Sequence, residues 1–140
     1  MIAIIAAMDK ELERLLSEMK YKRTKKIAGK TFYRGWIRNH LVVVALSGIG
    51  KVNAAMTASL LFQQYPVTSV INIGVAGGIP PAQVGTLVIA SQVGSFEIDL
   101  RAIDSHLPFG QMAGEPHTYF CDVALYQKAT SFANRYQIPF

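Results

Sequence analysis

The chain has 140 residues, of which 51% are hydrophobic and only 16% are charged, and its formal net charge is +5. No apolar run reaches the ~20 residues that span a bilayer, and the strand-like N-terminus runs directly into charges at Asp9, Lys10 and Glu11, so we do not expect an exported protein. We therefore expect a soluble, cytoplasmic protein with no membrane partner, folded as a single domain over residues 1–140.

The first predicted elements are a strand and an amphipathic helix. Residues 1–7 form a short apolar segment, and apolar side chains then recur at helical spacing, so a helix is predicted to begin near Asp9. The basic run Lys20–Lys26 follows, and we interpret it as a solvated loop whose cations complement the dipole at the helix end. It holds one aromatic residue, Tyr21, and no recognisable nucleic-acid motif, so no nucleic-acid partner is expected.

A hairpin and a second helix come next. The segments Thr31–Ile37 and Leu41–Leu46 flank Arg38–His40, a pattern that predicts a β-hairpin. The second helix is predicted between Gly50 and Pro66. Its apolar side is expected to comprise Val52, Ala55, Met56, Ser59, Leu60 and Phe62.

The C-terminal half has a looser pattern. Gly85–Ala90 predicts a further strand, and Asp99–Pro116 predicts a long surface loop of a kind that is often functional. A last helix is predicted before Pro139. Its apolar face is expected to comprise Leu125, Ala129, Phe132, Ala133 and Tyr136. The alternation of strands and helices predicts an α/β fold.

Two glycine-rich turns are the most informative motif of the chain. Ser47–Lys51 follows the aliphatic run Leu41–Leu46, and Gly74–Gly78 follows Ser69–Ile73, so both runs are predicted to be buried strands. In open α/β sheets ligands bind outside the carboxyl ends of the strands, and glycine lets the main chain approach a ligand closely. The two turns therefore predict a small-molecule pocket.

Other phosphate and nucleophile motifs do not fit these turns. A P-loop would need glycine at Ala45 and Ser or Thr at Val52, and a dinucleotide fingerprint would need glycine at Asn53. Ser47 precedes its glycines, so the sequence has no Gly-x-Ser-x-Gly elbow. The first turn is consequently not assigned to a nucleotide phosphate or to an acyl-transfer serine.

The histidines and the cysteine do not predict a metal site. His40, His106 and His117 are far apart and show no ligand spacing with Cys121 or a carboxylate, so no metal and no cofactor are expected. A single cysteine excludes an intrachain disulfide and fits a reducing cytoplasm.

Glu11 is the candidate catalytic residue. It falls in the first turn of the first helix, at the border of its apolar face, and it follows a strand end. A half-buried carboxylate there can have its pKa raised by desolvation and can act as a general base on water. The alternative is structural, because acidic residues are favoured in first helical turns in any case.

Three segments together resemble the 5′-methylthioadenosine/S-adenosylhomocysteine nucleosidase family of the nucleoside phosphorylase superfamily. They are Ile4–Glu11, Ser47–Ala55 and Ile71–Gly78, and they occur in the family's order and at its spacing. The resemblance implies a three-layer, nucleoside-phosphorylase-like mixed sheet with flanking helices. It also implies irreversible hydrolysis of the N-glycosidic bond of an adenine nucleoside, with release of adenine and a thioribose.

The resemblance implies roles for individual residues. Glu11 would activate the attacking water, Met8 and Ile49 would pack near the ribose and the 5′-thio substituent, and the turn after the later strand would lie against the adenine. That turn contributes Val75, Ala76 and Gly77. The family also implies a homodimer in which the loop 99–116 reaches a neighbouring subunit's pocket, and its candidate contacts are Ile103, Pro108 and Phe109.

The sequence departs from the family pattern in three respects. Val75 stands where the family commonly has serine, and Ala6 replaces a common glycine. The family's ribose-binding Met-Glu pair and its adenine-protonating aspartate have no counterpart in the chain. We therefore expect the N-terminal part of such an enzyme, with a fold that is incomplete at the C-terminus.

Two alternatives to a nucleosidase stay open. A purine nucleoside phosphorylase would need cations to hold phosphate, whereas the turn Gly74–Gly78 contains none and the carboxylate of Glu11 would repel an anion, so hydrolysis is favoured. A catalytically inactive fragment that only associates with other chains through exposed apolar surface is the second alternative, and the low charge content favours it.

Overall fold

A computed structural model describes residues 1–140. The chain divides into two compact units, Met1–Gly77 and Gly78–Phe140, which are described separately. The single domain expected over residues 1–140 stays a prediction.

The first unit is a mixed five-stranded sheet with helices. Its elements are β1 (Ile2–Ala6), α1 (Asp9–Glu18), β2 (Lys20–Ile27), β3 (Lys30–Ile37), β4 (His40–Leu46), α2 (Lys51–Gln64) and β5 (Ser69–Asn72). The strand order is β2-β3-β4-β1-β5. Strand β1 pairs in parallel with both β4 and β5, whereas β2, β3 and β4 form an antiparallel meander. The α/β class and the predicted hairpin are confirmed.

The core lies on both faces of this sheet because alternate residues of each strand point to opposite sides. One face is covered by α2, whose Leu61 is fully buried in the same cluster as Phe32 and Val43. The other face is covered by α1, whose Leu12 packs in a cluster with Val44. Helix, sheet and helix form three layers, as expected, and this arrangement fixes the carboxyl ends of β4, β1 and β5 at one edge.

The basic run Lys20–Lys26 was predicted to be a loop, and that prediction is wrong. It forms most of β2, an edge strand that is exposed along most of its length and pairs with β3. The reason is the two-residue turn Ala28-Gly29, whose positive φ angles of 47° and 77° suit the twist of a hairpin. The cations remain in solvent, but they lie within an edge strand and not in a loop.

The predicted second helix forms, but with a different buried face. Its buried residues are Thr57 and Leu61, whereas Val52 is 85% exposed and Phe62 is 57% exposed. Apolar residues lie on several sides of α2, so periodicity alone does not select the side that packs on the sheet.

A pair of adjacent alanine substitutions tests this face. We expect Leu61→Ala to lower the free energy of unfolding by about 2–5 kcal/mol, because it leaves a cavity at a fully buried position. Phe62→Ala should cost less than about 1 kcal/mol, because most of that ring is already in solvent. Urea unfolding of the two variants measures both values. If Phe62→Ala lowered the free energy of unfolding more than Leu61→Ala, the buried side of α2 would be the one predicted from the sequence.

Strand β5 also differs from the prediction, because it is not buried. It is an edge strand that pairs only with β1, and the side chains of Val70 and Ile71 are each 36% exposed. An edge strand lacks a neighbour on one side, so an apolar sequence alone does not bury it.

The second unit contains a small sheet and one helix. Its elements are β6 (Gln92–Gly94), β7 (Thr118–Phe120) and α3 (Val123–Arg135), with β6 and β7 antiparallel. Asp99–Pro116 lies in turns and irregular backbone, as predicted, whereas Gly85–Ala90 is not a strand because no other segment pairs with it. The last helix is confirmed, but Ala133 is the only member of its predicted face that is buried. No helix in the chain has the length and apolar content needed to cross a membrane.

Candidate active site

The carboxyl ends of three parallel strands bring the predicted motifs of the first unit together. Beyond β4, the Ser47 N–H donates to the Ala6 carbonyl at the end of β1, at 2.9 Å. Beyond β5, the Ile73 N–H donates to the Ile5 carbonyl at 3.0 Å. The β1–α1 junction thus lies between the two glycine-rich turns, which is the meeting that the sequence predicted.

Glu11 sits at this junction, and backbone N–H groups hold its carboxylate. Oε2 accepts hydrogen bonds from the N–H groups of Ala7 at 3.0 Å and Met8 at 2.9 Å. Oε1 accepts one from the N–H of Val75 at 3.0 Å, across 64 residues of sequence. Met8 is the N-cap residue of α1, so Glu11 reaches back to the cap as the acidic residue of a capping box does. The same carboxylate therefore caps the helix and fastens the second glycine turn.

The expected direction of the Glu11 pKa is wrong. Hydrogen bonds from Val75, Met8 and Ala7 lower this pKa from its ordinary value of 4.5, and they outweigh desolvation, which raises it. Donors stabilise the charged form, and this side chain is only partly buried, so burial exerts the weaker effect. Glu11 is consequently an ionised acceptor at neutral pH.

Because the pKa of Glu11 is lowered in the folded protein, the free energy of unfolding should depend on pH. The carboxylate favours the folded state fully above the ordinary pKa of 4.5, and that contribution is lost as the pH falls through the lower pKa of the folded protein. We expect carbon-13 NMR to show the Glu11 carboxyl titrating below 4.5. Below pH 5, the free energy of unfolding should decrease less steeply with falling pH in Glu11→Gln than in the wild type. A Glu11 titration at or above 4.5 would contradict the N–H contacts.

Gly74 gives the Glu11 carboxylate its room. A Cβ atom built on Gly74 would lie 2.7 Å from Glu11 Oε1, closer than real Cβ contacts, and 3.1 Å from Glu11 Cδ, which is tighter than most. Any larger residue here would therefore displace the carboxylate from its present position.

The first glycine turn requires glycine for a different reason. Gly48 and Gly50 have φ angles of 81° and 100°, in a region that favours glycine. The carbonyl groups of this turn are all bound within the chain: Ser47 O by Lys30, Gly48 O by the Ser47 hydroxyl, Ile49 O by Asn53 and Gly50 O by the Ala54 N–H. The N–H groups of Gly48, Ile49 and Gly50 donate no hydrogen bond to another backbone group. The turn therefore presents mainly N–H donors to a ligand.

The other predicted contacts of the first unit lie at the same edge. Met8 is 36% exposed, Ile49 72% and Val75 79%, and Ala76 and Gly77 are also exposed. The structure thus brings Glu11 into contact with Met8 and Val75, and places Ile49 on the neighbouring turn.

The predicted subunit-contact residues lie in the second unit. Ile103, Pro108 and Phe109 are exposed in the segment between β6 and β7, and the Arg101 guanidinium lies 5.4 Å from the centre of the Phe109 ring. Asp99 holds this arginine through two side-chain hydrogen bonds, of 2.8 and 2.7 Å, which lower the pKa of Asp99 to about 2. The cation on the ring and the ion pair fix Phe109 in an exposed position.

The sequence analysis missed one cation at the active edge. Lys30, the first residue of β3, is partly buried, and its Nζ donates to Ser47 O and to Asn53 Oδ1, at 2.6 Å each. The observed register of the hairpin explains its position. With Ile37 opposite His40 and Thr31 opposite Leu46, one further step places Lys30 opposite Ser47.

The side chains of this structure do not assemble a metal site, since no group of three or more His, Cys, Asp or Glu residues among residues 1–140 is arranged to hold an ion. The chemistry of the edge accordingly rests on one ionised carboxylate, backbone donors and apolar surface.

A mixed sheet between helices, with a glutamate and two glycine turns at its parallel strand ends, has the architecture of a phosphorylase-type α/β protein. Residues 1–140 match the Phosphorylase superfamily along their whole length, and the chain belongs to that superfamily.

Proteins similar to this chain include nucleosidases. A 5′-methylthioadenosine/S-adenosylhomocysteine nucleosidase of Oceanobacillus iheyensis is 42% identical over 125 residues, covering 89% of this chain and 54% of that protein. The corresponding protein of Bacillus cereus is 38% identical, with 89% and 53% covered. The chain thus spans about half the length of the curated relatives it matches.

Solved structures that are similar to this chain include nucleosidases. The Neisseria meningitidis nucleosidase in complex with methylthio-immucillin-A superposes with a TM-score of 0.91 at 31% identity, covering 96% of this chain and 58% of that one. The Streptococcus pyogenes S-adenosylhomocysteine nucleosidase in complex with 5-methylthiotubericidin gives 0.85 at 33% identity, with 94% and 56% covered. The expected nucleoside-phosphorylase-like fold is confirmed.

Proposed function

We propose that this chain serves the hydrolysis of the N-glycosidic bond of 5′-methylthioadenosine and S-adenosylhomocysteine, with Glu11 as the group that activates water. The observation that carries the proposal is the Glu11 carboxylate, fixed at the strand edge by three N–H donors. Relatives that share the superfamily and the fold are nucleosidases with these two substrates in their names.

The reaction follows from what such a carboxylate can do. Glu11 accepts a proton from water as the water oxygen bonds to C1′ of the ribose. The C1′–N9 bond breaks, its electron pair goes to the adenine, the leaving base takes a proton from solvent, and Glu11 returns the proton of the attacking water to solvent. The transition state has oxocarbenium character, so an anionic carboxylate on the side of the water also stabilises the positive charge on the sugar. A lowered pKa keeps Glu11 in the charged form that both roles require.

The remaining edge residues are proposed to bind the nucleoside. Met8 and Ile49 provide apolar contact for the ribose and the 5′-thio substituent, and Val75, Ala76 and Gly77 provide a surface for the adenine. Their exposure beside Glu11 supports this assignment. An apolar surface with few polar groups suits a thioether, which accepts hydrogen bonds only weakly.

Hydrolysis is favoured over phosphorolysis by the charges at the edge. Neither glycine turn contains an arginine, and the ammonium of Lys30 is already bound to two oxygens of the first turn. Phosphate would also approach the Glu11 carboxylate, which repels it. The Lys30 ammonium is thus not free to compensate a phosphate dianion.

The test is adenine release from methylthioadenosine, followed by chromatography with and without phosphate. We expect release at the same rate in both conditions, because water is the nucleophile. Release that requires phosphate would replace the hydrolase with a phosphorylase. No release from a folded chain would leave association with other chains as the function that the exposed apolar residues of α2 support.

We further infer a homodimer of the cytoplasm that acts in methionine salvage, in which Ile103, Pro108 and Phe109 reach the neighbouring subunit's nucleoside pocket. Support comes from the exposed Phe109 ring, held by Arg101 in a segment without regular structure. Sedimentation equilibrium should give twice the mass of the chain, and a monomer mass at all concentrations would contradict the dimer.

A further inference from the structure

Lys30 forms contacts that a surface lysine does not normally form. Its partly buried ammonium donates two short hydrogen bonds, both of 2.6 Å, to the Ser47 carbonyl and the Asn53 side-chain oxygen. Both acceptors are neutral oxygens, so the two contacts are charge-assisted hydrogen bonds and not ion pairs.

The two acceptors belong to the first glycine turn and to the helix that follows it. Ser47 precedes Gly48, and Asn53 lies in the first turn of α2. Asn53 passes the contact on, because its Nδ2 donates to the Ile49 carbonyl at 2.7 Å. Two successive hydrogen bonds, from Lys30 to Asn53 and from Asn53 to Ile49, thus link strand β3 to the turn.

The ammonium also decides which way the Asn53 amide faces. Lysine is a donor only, so Oδ1 must face Nζ, and this leaves Nδ2 for the Ile49 carbonyl. Without the ammonium, both amide orientations become available, and the flipped one sets an oxygen against the Ile49 carbonyl. The turn depends on these hydrogen bonds because Gly48 and Gly50, with positive φ angles, have the widest choice of alternative conformations.

We propose that Lys30 is a positioning residue of the nucleoside site, which acts through Asn53 and Ser47 to hold the Gly48–Gly50 turn with its carbonyls inward and its N–H groups outside any backbone hydrogen bond. The identity of the ligand rests on the proposed function, whereas the hold on the turn does not. The expected consequence is that Lys30 governs ligand affinity without governing the stability of the sheet.

The experiment compares Lys30→Met, which keeps the aliphatic stem, with Lys26→Met, a matched control on the exposed part of β2. Three quantities are measured on each variant: hydrogen exchange of the Ser47 and Ala54 amides, whose N–H groups are hydrogen-bonded at the two ends of the turn, binding of methylthioadenosine by calorimetry, and thermal unfolding. For Lys30→Met we expect exchange at the turn to rise about tenfold and affinity to fall about tenfold, as the loss of charge-assisted hydrogen bonds predicts. Exchange in β1 and β4 should not change, and Lys26→Met should resemble the wild type throughout.

Two further variants separate the explanations. Lys30→Arg should restore part of the affinity, because it keeps the charge but not the compact donor. Asn53→Asp keeps an acceptor for Lys30 and loses the donor to Ile49, so exchange at the turn should rise although Lys30 is still bound. A fall in thermal stability for Lys30→Met with unchanged turn exchange would overturn the proposal. If the wild type does not bind methylthioadenosine, the proposed ligand is wrong, and turn exchange alone decides the role of Lys30.

Discussion

Replacement of Glu11 by glutamine is expected to slow adenine release by ~10²–10⁴-fold, the range that general base catalysis contributes. The change removes the charge but leaves nearly the same shape. One oxygen remains to accept from Ala7 and Met8, whereas the new amide nitrogen faces the Val75 N–H and loses that hydrogen bond. The measurement is the initial rate of adenine release, with methylthioadenosine affinity determined beside it.

Glu13→Gln is the matched control, because Glu13 lies two residues further along α1 and is exposed. It should leave the rate unchanged. We expect the affinity of Glu11→Gln to fall far less than its rate, since the lost interaction acts on the attacking water. Equal rates for the wild type and Glu11→Gln would remove Glu11 from catalysis and leave it the structural role of capping α1.

Alanine at Gly74 is expected to lower the rate by ~10²-fold, although the substitution adds a single methyl group. Its Cβ would stand 2.7 Å from Glu11 Oε1, so the carboxylate must move away from the Val75 N–H. A displacement of about 1 Å in a reacting group can cost this much in rate. With the largest lowering contribution weakened, the pKa of Glu11 should also rise toward 4.5.

A double-mutant cycle tests the route of the effect. If alanine at Gly74 acts by displacing Glu11, it should cost much less in the Glu11→Gln background, where the base is already absent. Independent, multiplicative losses would show that Gly74 acts on the chain or the ligand in some other way. The two titrations, with glycine and with alanine at position 74, provide a readout that does not depend on turnover.

The meeting of the motifs at one edge was predictable because it depends on parallel strand ends. Aliphatic runs followed by glycine turns identify β4 and β5, and the rule that ligands bind outside carboxyl ends places the site there. Glu11 followed from its position after β1. Its pKa did not, because the dominant donor is the N–H of Val75, and sequence spacing does not show which backbone groups converge on a side chain 64 residues away.

The errors in the fold have a common physical origin in tertiary contacts. Burial of α2 depends on which side meets the sheet, and Leu61 does so where Phe62 does not. Lysines at Lys20–Lys26 predict solvent contact correctly, yet solvent contact is equally compatible with an edge strand. Lys30 was missed for a similar reason, since the predicted corner Arg38–His40 is one residue longer than the observed turn, and only the observed pairing of Ile37 with His40 places Lys30 opposite Ser47.

The two edge strands of the five-stranded sheet differ in how readily another strand can pair with them. Strand β2 has cations along its open edge, and lysine side chains discourage another strand from pairing there. The open edge at β5 has the sequence Ser69-Val70-Ile71-Asn72, which contains no charged residue that would disfavour pairing with a further strand. An additional strand, from this polypeptide or from another, is therefore expected to join beside β5, the side on which Glu11 is bound by Val75.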